Sequence, residues 1–166
     1  MNALNEKLLK QMISTSSLAE VDRWIAKYPA DQKQSAVMQA LMIVQEECGH
    51  LTQELMDAVA EYLGMAPIAV YEVATFYSMY ELKPTGKNVI NVCTNISCQL
   101  CDSAKVMQHL EQKLGIKKGE TTADGKFTLR SVECLGACVD APMMEVNKQY
   151  YAKLTPEKID EILEKV

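Results

Sequence analysis

The sequence predicts an α+β fold in which an N-terminal helical bundle precedes a small α/β domain. Apolar residues recur at helical spacing up to about residue 80 of the 166-residue chain. A short break follows at Lys83-Pro84-Thr85-Gly86, and after it the apolar residues alternate in short segments that are typical of strands. We therefore expect a helical region over residues 1–82 and a separate α/β domain over residues 87–166.

Capping residues divide the helical region into separate helices. Ser17 and Glu20 have the capping-box spacing, so the first helix is expected to begin at Ser17. Thr52 can cap the N-terminus of a later helix that Gly64 ends, and Pro67 can open the next one. The predicted helices cover residues 17–28, 34–47, 53–63 and 67–80.

The second region alternates between strands and helices. Asp124-Gly125 is a hairpin-type turn signal, Asn147-Lys148 separates two short strands, and Thr155 can cap the last helix. Residues 98–103 are expected to form a loop. The predicted elements are a strand at 88–93, a helix at 103–115, a strand at 127–134, two short strands within 143–154 and a helix at 156–166. This size and order indicate a thioredoxin-like domain.

Composition limits the environment and the partners. The N-terminus lacks the apolar core of a signal peptide, and no apolar run approaches the roughly 18 residues of a membrane span. We therefore expect no direct membrane insertion and a reducing compartment that keeps the six cysteines free of disulfides. The chain has 22 acidic and 17 basic residues without a basic stripe, so no nucleic-acid partner is expected.

The glycine pattern bears on nucleotide binding. The seven glycines never occur at G-x-G-x-x-G or Walker spacing. If the protein handles electrons from a nicotinamide, a partner is therefore expected to bind that nicotinamide.

Five cysteines form two groups, and both groups lie at predicted strand ends. Cys93 and Cys98 follow one strand, and Cys134 and Cys138 follow another. Two loops that meet at one end of the sheet would each offer two thiolates, and a [2Fe–2S] cluster needs four. Gly136 lacks a Cβ, so the backbone of the second loop can approach the cluster closely.

Other interpretations of these cysteines compete. Zinc permits such spacings, but neither pair is C-x₂-C and neither histidine lies in the groups. Cys98-Gln99-Leu100-Cys101 could be the dithiol of a thiol–disulfide oxidoreductase, which would leave the remaining clustered cysteines without a role. Cys93, Cys98 and Cys101 also have the plant-type ferredoxin spacing. The two-plus-two set uses both groups fully, with Cys101 left over and Cys48 most simply explained by packing.

Several motifs in order carry a family resemblance. They are Glu72-Val73-Ala74-Thr75-Phe76-Tyr77-Ser78, the C-x₄-C pair, Cys134-Leu135-Gly136-Ala137-Cys138, and the stretch from Ala141-Pro142 to Asn147. From about residue 15 onward the sequence resembles the thioredoxin-like [2Fe–2S] ferredoxin subunit of NADH:quinone oxidoreductase (respiratory complex I, the NuoE type). The resemblance assigns the ligands as Cys93, Cys98, Cys134 and Cys138.

The resemblance implies an electron-transfer subunit without a catalytic site of its own. One [2Fe–2S] cluster would exchange single electrons with flavin mononucleotide on a partner subunit that also binds NADH. The helical region, including the residue 72–78 motif, would pack against that partner. The protein would be cytoplasmic, in the peripheral arm of a membrane-bound complex; a related subunit of an NAD-linked hydrogenase or formate dehydrogenase is the alternative.

The two histidines are not expected to be ligands. His109 is expected to face solvent and His50 to lie in a loop.

Overall fold

A computed structural model describes residues 7–166. The chain divides into two compact units between Pro84 and Thr85, and each unit buries a hydrophobic core of its own. Among the described residues, no helix combines the length and the apolar character that crossing a membrane requires.

The first unit is helical, as predicted. Leu41, Val44 and Val59 are among the fully buried side chains of its core. The helices are α1 (Lys7–Met12), α2 (Thr15–Ile25), α3 (Val37–Cys48), α4 (Gln53–Leu63) and α5 (Pro67–Phe76), and a 3₁₀ turn (Lys33–Ala36) leads into α3.

Helix α4 has the bounds that its capping residues predict. The Thr52 hydroxyl accepts a hydrogen bond from the Leu55 N–H at 3.2 Å. Gly64 then adopts a left-handed conformation (φ 69°) that ends the helix. Both signals are local in sequence, which is why the prediction is confirmed at both ends.

Helix α2 begins earlier than predicted. Ser14 is the N-cap, and its hydroxyl accepts a hydrogen bond from the Ser17 N–H at 3.3 Å. Glu47 accepts hydrogen bonds from the Ser14 N–H at 2.7 Å and from its hydroxyl at 3.0 Å. Glu20 instead accepts a hydrogen bond from Trp24 Nε1 at 3.1 Å. The capping box predicted at Ser17 is therefore wrong, because a carboxylate distant in sequence selects Ser14.

Helix α5 ends at Phe76 rather than continuing to Tyr80. Tyr77 is extended (φ −88°, ψ 121°), and this turns the chain so that Tyr80 enters the core. The Tyr80 hydroxyl donates to the Met38 carbonyl at 2.8 Å. Burial raises the pKa of Tyr80 to about 12. The burial of Tyr80 therefore determines that α5 ends at Phe76, whose side chain is left exposed.

The described residues of the second unit form a mixed four-stranded sheet in the order β2-β1-β3-β4. The strands are β1 (Asn88–Cys93), β2 (Phe127–Val132), β3 (Met144–Val146) and β4 (Gln149–Tyr151). Strand β1 pairs in parallel with β2 and antiparallel with β3, and β3 pairs antiparallel with β4. The hairpin turn is the predicted Asn147-Lys148, and both residues have positive φ (50° and 68°).

The helices of the second unit are α6 (Ile96–Leu100), α7 (Ser103–Leu114) and α8 (Pro156–Lys165). The N-cap predicted at Thr155 is confirmed, since its hydroxyl accepts a hydrogen bond from the Lys158 N–H. Helix α6 corrects the loop predicted over residues 98–103. Strand β2 ends at Val132, two residues before Cys134, where its end was predicted.

A contact between α7 and α8 corrects the prediction for His109. Its Nε2 lies 2.9 Å from Asp160 Oδ1, and Lys113 Nζ lies 3.1 Å from Asp160 Oδ2. Hydrogen bonds from His109 and Lys113 hold the pKa of Asp160 below its ordinary value. His109 is half-buried rather than solvent-facing because it reaches across to the neighbouring helix.

Gly86 provides a stability test of this unit. A Cβ at Gly86 would lie 2.8 Å from the Phe127 carbonyl carbon, and that backbone belongs to a paired strand that cannot move freely. We expect Gly86→Ala to lower the free energy of unfolding by about 1–3 kcal/mol. Thermal unfolding should show a reduced Tm for Gly86→Ala and a wild-type Tm for Lys87→Ala, which changes the exposed neighbouring residue. Equal Tm values for the two variants would contradict the close approach at Gly86.

Candidate metal centre

The predicted ligands lie at the edge of the sheet where β1 and β2 both end. Cys93 is the last residue of β1, and its partner in the parallel ladder is Val132, the last residue of β2. Cys134 follows two residues later, and Cys138 begins a 3₁₀ turn. Because parallel strands end at the same edge of a sheet, this register brings the second cysteine loop beside the first.

Cys98 reaches the same place from helix α6. The Asn95 side chain accepts a hydrogen bond from the Ile96 N–H at 2.9 Å and so caps this short helix. The helix turns Cys98 into the protein and leaves Cys101 exposed. Asparagine is a preferred N-cap residue, so Asn95, two residues after the end of β1, could have predicted the helix.

The thiols contact one another across the two loops. The thiols of Cys98 and Cys134 act on Cys93 and help to lower its pKa. The charges of Cys93 and Cys138 also act on Cys98. Cys93, Cys98 and Met143 form a small buried cluster of their own. Cys93, Cys98 and Cys134 therefore lie close together, and Cys138 lies near enough to act on the pKa of Cys98.

Backbone N–H groups point at the buried sulfurs. The N–H groups of Asn95 and Leu135 act on the Cys93 sulfur and lower the pKa of that thiol. The Met143 N–H acts in the same direction on the Cys98 sulfur. Such donors offset the negative charge that thiolates bring into a protein and tune the potential of an iron–sulfur centre.

The second loop carries its own donor. The Gly136 N–H lies 3.3 Å from the Cys134 sulfur. Gly136 has a left-handed backbone (φ 74°), a conformation that favours glycine. The glycine predicted to permit close approach therefore supplies a hydrogen bond to a predicted ligand.

The site is buried on one side only. Cys93 and Cys98 are 3% and 2% exposed, whereas Cys134 and Cys138 are exposed. One pair of donors thus lies within the protein and the other pair lies at its surface. A group held by all four would be anchored in the domain and still open to contact from outside.

Local contacts shift the pKa values of the two buried thiols in opposite directions. Burial acts to raise the pKa of Cys93, but the Asn95 and Leu135 N–H groups together with the Cys98 and Cys134 thiols outweigh it and lower that pKa. Burial and the neighbouring Cys93 raise the pKa of Cys98 to about 11. Cys98 is therefore protonated and inaccessible at neutral pH, which is the reverse of what an attacking thiol in a C-x-x-C dithiol needs.

Between Lys7 and Val166, no group of three or more His, Cys, Asp or Glu side chains is arranged so that it could hold a metal ion. The fit to a cluster rests on the donor set instead. The four thiols belong to two loops, backbone N–H groups reach three of the sulfurs, and neither histidine lies in these loops. Two thiolates for each of two irons is the requirement of a [2Fe–2S] centre.

The fold and the donor set define an iron–sulfur protein. Residues 21–166 match the thioredoxin-like [2Fe-2S] ferredoxin family. The chain belongs to this family and carries one [2Fe–2S] cluster. The predicted α+β fold with a thioredoxin-like [2Fe–2S] ferredoxin domain is confirmed.

Named relatives agree with the resemblance. The chain is 47% identical over 145 residues to an NADH-quinone oxidoreductase subunit of the E type from Rhizobium meliloti (strain 1021), covering 87% of this chain and 85% of that relative. It is 43% identical over 164 residues to the E-type NADH-quinone oxidoreductase subunit of Rickettsia bellii (strain RML369-C), covering 98% of each. The predicted resemblance to the NuoE type is confirmed.

A solved structure supports the fold alone. The air-oxidised NAD⁺-reducing [NiFe]-hydrogenase matches with a TM-score of 0.64 at 21% identity, covering 79% of this chain and 22% of that chain. This chain therefore spans about a fifth of the hydrogenase chain that it matches.

Burial predicts the order in which the thiols react in reduced, cluster-free protein. At pH 8 N-ethylmaleimide should label Cys101, Cys134 and Cys138 well before Cys93 and Cys98. With a pKa of about 11, only about one Cys98 in a thousand is the reactive thiolate at pH 8. Its labelling should therefore speed up as the pH rises towards 11. Timed labelling followed by peptide mass spectrometry measures both effects, and labelling of Cys98 as fast as Cys101 would contradict the site geometry.

Proposed function

We propose that this chain is the [2Fe–2S] subunit of an NADH-quinone oxidoreductase and exchanges single electrons with the flavin of an NADH-oxidising partner subunit. Cys93, Cys98, Cys134 and Cys138 hold the cluster in this proposal. The observation that carries it is the meeting of two cysteine loops at one sheet edge, with thiol contacts between the loops and backbone N–H donors at the sulfurs. The relatives from Rhizobium meliloti and Rickettsia bellii support the assignment to the complex.

The chain's residues have separate tasks in this function. The bound cluster supplies a one-electron carrier. Cys93 and Cys98 anchor it in the domain, and the N–H groups of Asn95, Leu135 and Met143 offset its charge. The exposed pair brings the cluster to the surface, where a partner can approach it.

Exposed apolar side chains lie close in sequence to the proposed ligands. Leu100 is 82% exposed and lies two residues after Cys98, while Val139 is 89% exposed and directly follows Cys138. Ile96 is also exposed on the same short helix as Cys98. Exposed apolar groups of this kind favour burial against another protein. In the proposal they contact the flavoprotein and exclude water from the electron path.

A second exposed apolar surface lies in the first unit. Phe76 ends α5, and Tyr77, Met79 and Leu82 follow it along the chain, all with exposed side chains. Phe76 and Tyr77 belong to the residue 72–78 motif that carries the family resemblance. In the proposal this surface also packs against the partner subunit.

The flavoprotein partner would bind both NADH and flavin mononucleotide, because this chain has no glycine pattern for a dinucleotide. The complex would place the chain on the cytoplasmic side, in the peripheral arm. The alternative complexes are an NAD-linked hydrogenase and a formate dehydrogenase, and the subunits that co-purify with the chain distinguish them. A thiol–disulfide oxidoreductase using Cys98 and Cys101 is disfavoured by the burial of Cys98.

Alanine substitutions separate the proposed ligands from the spare cysteine. Cys134→Ala should remove a thiolate that no other side chain at the site replaces, so the visible absorption of the cluster should be lost. Cys101→Ala is the matched control and should keep it, because Cys101 is an exposed cysteine outside the proposed set of four ligands. Visible spectra of anaerobically purified variants measure this. A colourless Cys101→Ala protein would favour the plant-type ligand set, and zinc in the purified protein would overturn the proposed function.

Charge substitution tests the docking surface. Leu100→Glu should weaken binding of the flavoprotein partner about tenfold or more, since it places a charge in an apolar contact. Cluster content should not change, because Leu100 is exposed. Gln112→Glu adds the same charge at an exposed position of α7 and should bind normally. Unchanged affinity of Leu100→Glu in a titration against the partner would remove Leu100 from the interface.

A further inference from the structure

The exposed cysteine loop is held differently on its two sides. On the Cys138 side the contacts come from backbone groups. The Asp140 carbonyl accepts a hydrogen bond from the Lys153 N–H at 2.9 Å, and the Pro142 carbonyl accepts one from the Leu154 N–H at 3.0 Å. This side of the loop is therefore tied to the segment that follows β4.

On the Cys134 side a side chain makes the contact. Tyr150 lies in β4, the edge strand of the sheet, opposite Glu145 of β3. Its hydroxyl donates a hydrogen bond to the Leu135 carbonyl at 2.9 Å. Leu135 in turn packs against the buried group formed by Cys93, Cys98 and Met143. A tyrosine from the opposite edge of the sheet thus reaches the middle of the ligand loop.

The accepting carbonyl shares a peptide group with an N–H that contacts a ligand. The peptide that contains the Leu135 C=O also contains the Gly136 N–H, and a peptide group is planar. In a trans peptide these two groups point in opposite directions. The Leu135 oxygen is bonded to Tyr150 at one end, and the Gly136 N–H lies 3.3 Å from the Cys134 sulfur at the other. Fixing the carbonyl therefore fixes the direction of the N–H.

We propose that Tyr150 is a positioning residue for the exposed half of the cluster site, because its hydroxyl aims the Gly136 N–H at the Cys134 sulfur. This inference rests on the proposed ligand role of Cys134. Donation to the carbonyl also polarises the peptide and strengthens its N–H as a donor. An N–H donor at a ligand sulfur stabilises the more negative, reduced cluster, so Tyr150 raises the reduction potential and slows the loss of iron from this side.

The experiment compares Tyr150→Phe with Tyr151→Phe in the full-length, cluster-containing protein. Each variant loses one hydroxyl and keeps its ring. Tyr150 is 51% exposed, so its ring contributes little to the core, whereas Tyr151 packs against the core of the second unit. The measurements are the anaerobic rate of iron release to a chelator, the midpoint potential from an EPR-monitored redox titration, and the Tm.

Tyr150→Phe should release iron about fivefold faster, which corresponds to the loss of one hydrogen bond of about 1 kcal/mol. It should also have a more negative midpoint potential, and its Tm should fall by no more than about 2–4 °C, as the loss of one such hydrogen bond predicts. Tyr151→Phe should match the wild type in iron release and potential. Hydrogen exchange of the peptide covering residues 133–139 should be faster in Tyr150→Phe alone.

Two results would overturn the inference. Wild-type iron release and potential in Tyr150→Phe would show that the hydroxyl does not position the loop. Equal changes in both variants would show a general weakening of the edge strand. Failure of the ligand assignment is distinguishable, because it would appear as a cluster retained in Cys134→Ala, whereas failure of the Tyr150 inference leaves the wild-type cluster and its ligands intact.

Discussion

The parallel pairing of β1 with β2 is the interaction on which the metal centre depends. The register places Cys93 opposite Val132, so the segment that begins with Cys134 starts beside the segment that contains Cys98. A shift of one residue would turn the buried side chains of β1 to the other face of the sheet and expose Ile90 and Val92. The hydrophobic core of the domain therefore also fixes the meeting of the two cysteine loops.

The backbone of the loops contributes as much to the site as the cysteines do. Thiolates alone would gather several negative charges at one place, and N–H groups from both loops offset that charge. The buried pair receives donors from Asn95, Leu135 and Met143, and Cys134 receives one from Gly136. The second pair, Cys134 and Cys138, is exposed, so a cluster held as proposed would be anchored on one side and open to a partner on the other.

Much of the fold was predictable because the sequence signals that determine it are local. Thr52 and Gly64 define α4 through contacts with their own helix, and the alternating apolar residues predict the strands after which both cysteine groups follow. The wrong predictions arose where residues distant in sequence determine the local structure. Ser14 rather than Ser17 caps α2 because Glu47, 33 residues away, bonds to Ser14. The contact of Tyr150 with a loop 15 residues earlier has no sequence signal at all.

The most direct measurement is the iron and acid-labile sulfide content of anaerobically purified protein, together with an EPR spectrum after reduction with dithionite. One [2Fe–2S] cluster predicts two irons and two sulfides per chain and a rhombic S = ½ signal in the reduced state. Zinc in place of iron, or a protein without metal whose Cys98 and Cys101 exchange disulfides, would leave the fold as described and contradict the electron-transfer function.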